Sequence, residues 1–287
     1  MTLFALGLVF AAAFCHATWN LLAKRVGSGA PFVWLFGTLG ALIYAPLALG
    51  IILVQRPELG SPQLVFIIGS ALLHITYFLL LQQGYRAGDL SLVYPLARGT
   101  GPMLSTLGAI ALFGERPSPL ALAGAALIIG SIFALTGGDR LLRRPLSADG
   151  AVVFGLLTGT LIATYTLWDK HAVSALLIPP VVLDWSTAVA RSLLLTPIAA
   201  RRWGEVRALW REHRLPVLGV AVLTPLAYIL VLTAMRFTPV SDVAPAREIS
   251  ILIGTAMGAH LLDEGDAPRR LLAASGMVLG IAALALG

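Results

Sequence analysis

Apolar residues run through the chain in stretches of about 20, the helix length that spans a bilayer core, with short polar turns between them. Ten such segments can be drawn, over 2–23, 31–54, 62–83, 90–113, 119–137, 150–168, 176–199, 215–234, 240–262 and 269–286. The connecting stretches, such as 27–31, 56–62, 84–89, 115–119 and 137–150, carry the Gly, Pro and charged residues of turns and leave no room for an extramembrane domain. A barrel strand needs alternating polarity over about ten residues, whereas 120–135 reads LALAGAALIIGSIFAL and is apolar on every face. A helix satisfies its backbone groups internally in lipid. The pattern therefore predicts an all-α polytopic membrane protein with ten transmembrane helices.

Composition agrees. The 287 residues are 58% hydrophobic and 12% charged, with mean hydropathy +0.88, against about 45–50% and about 25% in soluble domains, which excludes a soluble globule. The net charge of +6 and pI of about 10.0 come from Lys and Arg in short turns, where a membrane-topology bias rather than a nucleic-acid partner explains them. A single cysteine, Cys15, excludes an intrachain disulfide framework and a thiolate metal cluster. The opening MTLFALGLVF lacks a positive n-region and is read as the start of the first span. Turns after the odd-numbered segments, counting Arg269 and Arg270 at the very start of the tenth segment, hold 13 Lys and Arg and those after the even-numbered ones hold 4. The positive-inside rule then sets both termini outside the cytoplasm.

A shift of 149 residues superposes the chain on itself without a gap. Trp19-Asn20 falls on Trp168-Asp169, Ala97-Arg98 on Ala246-Arg247, Glu115 on Glu264 and Pro119 on Pro268. Apolar coincidences between hydrophobic helices are cheap, but matched Trp, Arg, Glu and Pro at one offset are not. The reading is two five-helix units, 1–138 and 150–287, joined by a linker over 139–149. An odd helix number starts the second unit on the opposite side of the membrane, so the two are inverted repeats, the arrangement that supports alternating access in secondary transporters. Duplication for stability alone is the plainer alternative.

Candidate chemistry is sparse. Arg98, Arg191 and Arg247 fall within or near the spans, where a guanidinium needs an acidic partner, a cavity or an anionic ligand unless it snorkels to a headgroup. Glu248 adjoins Arg247, but neighbours on a helix do not face each other, so pairing requires broken helix or another element. Tyr94-Pro95 and Ala244-Pro245 are expected to kink or interrupt their helices and to wall a central pathway. His16, Asn20 and Lys24 form an i, i+4 polar stripe for substrate or proton, or for plain helix–helix hydrogen bonding. Arg98 and Arg247 are expected to face the pathway from related sides, with Arg98, lacking an adjacent acid, the freer anion site. Glu115 and Glu264 stand just before helix-starting prolines and read as turn or cap carboxylates. His74 and His260 are isolated, and nothing completes a zinc site. GLLTG (155–159), GTAMG (254–258) and GMVLG (276–280) permit close helix contact within the bundle. No HExxH, Walker A, GxGxxG or GxSxG pattern occurs, so no cofactor and no enzyme activity is expected.

The chain also resembles the ten-helix, EamA-like permeases of the drug/metabolite transporter superfamily. The likeness lies in His16-Ala17-Thr18-Trp19-Asn20, in Gly88-Asp89-Leu90-Ser91-Leu92-Val93-Tyr94-Pro95-Leu96-Ala97-Arg98-Gly99 and in Gly114-Glu115-Arg116. Trp168-Asp169, Ala244-Pro245-Ala246-Arg247 and Asp263-Glu264 are weaker counterparts in the second half. The resemblance implies a central cavity between two inverted units and movement of a small organic metabolite, coupled to a proton or another ion gradient. It implies a bacterial-type cytoplasmic (inner) membrane, and a monomer or homodimer fits equally. Exporters of this kind are usually described with both termini in the cytoplasm, opposite to the charge bias of this chain. A non-transporting membrane scaffold or accessory subunit is the alternative function.

Overall fold

The computed structural model describes residues 1–26, 29–87, 90–136, 150–259 and 267–287, and every regular element among them is α-helix. The helices are α1 (Leu3–Val26), α2 (Ala30–Gln55), α3 (Ser61–Ala87), α4 (Leu90–Phe113), α5 (Pro119–Thr136), α6 (Gly150–Ser174), α7 (Pro180–Arg201), α8 (Trp203–Met235), α9 (Val240–Ala246), α10 (Ile249–Ala259) and α11 (Ala267–Leu286). The expected linker over 139–149 lies outside the described residues. Six helices (α1, α2, α3, α6, α7 and α8) contain described stretches long and apolar enough to cross a membrane. Shorter apolar stretches follow in α5 (Pro119–Ala134) and α11 (Leu272–Leu286). About ten helical segments are thus present, and among the described residues six reach the length and hydropathy of a span.

Three departures from the expected segments have physical causes. The ninth, drawn over 240–262, is two helices. Pro245 has no amide to donate, α9 ends one residue later, and the Glu248 amide bonds Pro245 O at 3.1 Å in a tight turn before α10. In contrast, α4 runs unbroken through Pro95. Pro95 stands in the second turn of α4, so little of the ladder precedes the amide it lacks. The basic stretch 201–214, read as a loop, is mostly helical and joins α8 across His213, whose φ of −131° and ψ of 28° mark a kink. Its charged side chains point outward while Val206 packs with Phe32, Phe36 and Val217.

Large apolar side chains such as Leu42, Leu53, Val54, Ile68, Leu112 and Leu193 are exposed on the outside of the bundle. On a soluble protein so much apolar surface would be a liability, and around a bundle of this composition it is the face presented to lipid. Inside, a core of Val9, Ile128, Ile132, Ile178, Leu183, Leu232, Met277 and Leu284 draws on α1, α5, α7, α8, α11 and the turn after α6. α1 packs on α8 and α10, α6 on α3 and α4, α2 on α7, and α5 on α11. The GxxxG patterns serve these crossings. Gly155 and Gly159 lie against Leu96, Ala97 and Thr100 of α4. On α11, a Cβ at Gly280 would stand 2.7 Å from Gly124 O, and one at Gly124 would stand 2.6 Å from Gly280 O.

Candidate functional site

The break between α9 and α10 delivers two charged side chains to the middle of the bundle. Glu248 is fully buried, and Arg98, reaching in from α4, meets its Oε2 at 2.7 Å. Arg247 Nε donates to Glu248 Oε1 at 3.3 Å, a contact between successive residues that both lie in the turn separating α9 from α10. Arg98 Nη2 also donates to Ser250 Oγ at 3.4 Å. The expectation that Arg98 lacks an acidic partner is therefore corrected: the residue that supplies one sits in the other half of the chain, and only tertiary packing brings it near. Arg247 Nη2, by contrast, is buried with no hydrogen-bond partner among the described residues.

His16 on α1 lies within electrostatic reach of both Arg98 and Arg247 and meets the Trp19 ring edge-on at 5.0 Å. Asn20 does not join them. It is exposed, and its Nδ2 donates back to His16 O at 2.8 Å. Pro245 is buried beside the centre at the end of α9. The side chains of Lys24, Tyr94 and Pro95, and also His260, Asp263 and Glu264, lie outside the described residues. Arg191 stands on α7 against Gly37 of α2, within electrostatic reach of Asp184, two turns earlier on its own helix.

Next to this centre is a second cluster that the sequence reading passed over. Asp169 on α6 is fully buried; its Oδ2 accepts from Tyr228 Oη of α8 at 2.5 Å and lies 3.9 Å from His74 Nε2 of α3. His74 is thus not isolated: its ring lies 4.4 Å from that of Tyr165 and 5.4 Å from that of Tyr228. Two signals for Asp169 were present in the sequence, its charge in an apolar helix and its coincidence with Asn20 at the repeat offset. Nothing in periodicity pointed to His74 as its partner.

Glu115 is a cap, but of an unexpected helix. Gly114, at φ +65°, turns the chain out of α4. Glu115 Oε1 then accepts from the Val240 amide at 2.8 Å, and its Oε2 from the Ser241 amide at 2.9 Å and Ser241 Oγ at 2.7 Å. A carboxylate at the positive end of a helix is favourable, and here it joins the two halves. Lys170 Nζ similarly closes α8 by donating to Met235 O at 2.5 Å and Thr238 O at 3.0 Å. A groove of about 340 Å³ lined by Trp34, Thr38, Trp203, Arg207 and Trp210 lies between α2 and the start of α8, away from the charged centre. Its tryptophans and arginines suit a membrane–water interface.

An outward apolar surface around buried charged clusters, Glu248 between Arg98 and Arg247 and Asp169 beside His74, defines a multi-pass membrane protein with a polar centre. The EamA-like transporter family model matches the chain twice, over residues 3–137 and 150–286, and the chain belongs to that family, within the drug/metabolite transporter superfamily. Its members are transporters rather than enzymes, so the general function is transport across a membrane. No curated protein matches the chain. A solved structure described as the crystal structure of a protein is similar in fold, with TM-score 0.74 over 98% of each chain and 16% identity.

Proposed function

We propose that the chain is a secondary active permease that carries a small organic anion across a bacterial-type inner membrane by alternating access between two inverted units, 1–138 and 150–287. The observation that carries this reading is Arg247. Its Nε is engaged by Glu248 while its buried Nη2 has no partner among the described residues, and a buried cationic donor calls for an anion. A guanidinium suits a carboxylate or phosphate, whose oxygens its fixed fork matches. Arg98 and His16 flank the same place. Support for the inverted units comes from the double family match and from the helix pairings. At the 149-residue offset the α1–α8 contact becomes α6–α3, α1–α10 becomes α6–α4, and α2–α7 and α5–α11 each return their own two helices. The charge bias supports both termini outside the cytoplasm.

The test is reconstitution of the purified chain in sealed liposomes with a panel of carboxylate- and phosphate-bearing metabolites, read by mass spectrometry under a pH or a voltage gradient. At least one compound accumulates above protein-free vesicles, and Arg247→Ala abolishes its accumulation. If no compound moves under either gradient, the reading is wrong.

A further inference from the structure

We infer that His74 and Asp169 hold one shared proton and form the proton site of this protein. The geometry fixes which atoms are involved. His74 Nδ1 lies 2.8 Å from Ser70 O on the preceding turn of α3. A backbone carbonyl can only accept, so Nδ1 carries a hydrogen and Nε2 is the nitrogen whose protonation can change. Nε2 is the atom that faces Asp169 Oδ2, at 3.9 Å. Asp169 is completely buried, its Oδ2 held by Tyr228 Oη and its Oδ1 without a hydrogen-bond partner among the described residues.

Each extreme of protonation is penalised. With no proton on the pair, a fully buried carboxylate, held by the Tyr228 hydroxyl alone on its Oδ2, faces the lone pair of a neutral imidazole and has no cation in contact. With two, a neutral carboxylic acid sits beside an imidazolium that feels Arg191 and Arg247 through space. One proton satisfies the site, either as imidazolium with carboxylate or as imidazole with carboxylic acid. Transfer between the two forms moves one proton from Nε2 to Oδ2 with no other bond changed, once the 3.9 Å gap closes to hydrogen-bond distance or one water bridges it. Such a pair titrates as a unit.

The surroundings on every side bear on that proton. α3 contributes Ser70, His74 and Tyr77; α6 contributes Tyr165 and Asp169; α8 contributes Tyr228. α7 brings Thr187 Oγ1 to Ser70 Oγ at 3.4 Å, and its Arg191 is offset by Asp184. The α9–α10 break brings Arg247. Arg247 is the residue proposed above to meet the substrate, and only for what the proton is coupled to does the inference rest on that reading. An anion on Arg247 cancels part of the positive field at His74, so anion and proton strengthen each other's binding, reciprocally as linkage requires. The offset of 149 sets Asn20 of α1 against Asp169 and Leu223 of α8 against His74, so the repeat-related place between α1 and α8 has no matching pair of titratable groups.

The experiment is nitrogen-15 spectroscopy of histidine-labelled full-length protein in lipid nanodiscs between pH 5 and 9, without substrate, with His74→Gln assigning the resonance. Nδ1 stays protonated throughout and Nε2 alone titrates. In Asp169→Asn the proton affinity of Nε2 falls at least tenfold. Tyr228→Phe, which removes one hydroxyl and preserves the ring, raises the proton affinity of the pair at least threefold and covers the case in which Asp169→Asn does not fold. An Nδ1 that loses its proton, or a titration that neither variant moves by more than twofold, overturns the inference. A normal titration together with no uptake of any metabolite overturns the transport reading and leaves the proton site standing.

Discussion

Arg98 of α4 and Glu248 of the α9–α10 break form a 2.7 Å ion pair across the two halves of the chain, and Glu248 simultaneously accepts from Arg247 at 3.3 Å. A single carboxylate thus organises two arginines that coincide at the repeat offset. Removing one member of a buried charge pair costs about 3–5 kcal/mol because the other is left uncompensated. Glu248→Gln removes the carboxylate charge from two buried guanidiniums at once, whereas Arg98→Ala leaves Glu248 its bond to Arg247. Chemical unfolding in detergent therefore shows Glu248→Gln as the more destabilised of the two.

Arg247 carries the sharper functional expectation. Losing one desolvated charge contact costs roughly 2–5 kcal/mol, a factor of about 30 to several thousand in affinity. Anion binding by Arg247→Ala falls within that range, while Arg247→Lys, a point charge without the fork, keeps part of it. Arg98→Ala weakens binding less, by freeing Glu248 to compete for Arg247. Ligand affinities at matched levels of folded protein check the order.

Glu115→Ala removes the acceptor of two amides and one hydroxyl at the start of α9. Loss of a helix cap costs about 0.5–2 kcal/mol. Hydrogen exchange at Val240 and Ser241 accelerates accordingly, while exchange at the start of α2, which has its own Gly29–Pro31 entry, is unchanged.

The α5–α11 crossing separates backbone contact from empty space. Gly280→Ala forces a methyl to within 2.7 Å of a carbonyl oxygen, and Gly130→Ala on α5 meets nothing within 4 Å. The first lowers thermal stability in detergent, as overpacking by about 1–3 kcal/mol does. The second leaves it unchanged or raises it slightly, through alanine's better helix propensity.

The charge bias of 13 against 4 predicts both termini outside the cytoplasm. A reporter active only in the cytoplasm, fused after Gly287, gives no signal, and one active only outside gives a strong signal. The opposite pair of readings reverses the orientation.

Much of the architecture was legible because lipid imposes a strict rule on every segment: a backbone in hydrocarbon must satisfy itself, so runs of apolar residues announce helices. The break after Pro245 and the close crossings at Gly155, Gly159 and Gly280 follow from single-residue stereochemistry and were readable for the same reason. Pro95 shows the limit, since its cost depends on how much helix precedes it. The stretch 201–214 misled because its arginines read as loop, although Trp203, Val206 and Trp210 recur at helical spacing. Pairings such as Arg98 with Glu248 and His74 with Asp169 are set by which faces meet after packing, and one-dimensional spacing does not encode them.

The hold of Glu115 on Val240 and Ser241 also has a meaning for biosynthesis. Amides at the start of a helix have no partners within it, and α9 takes the partner for its first two from a turn made much earlier in translation. Since chains emerge N-terminus first, the α4–α5 turn is already in the bilayer when α9 arrives. The first half thus serves as a template on which the second half's broken helix is completed, and an isolated second half would have to leave that helix end to water or lipid.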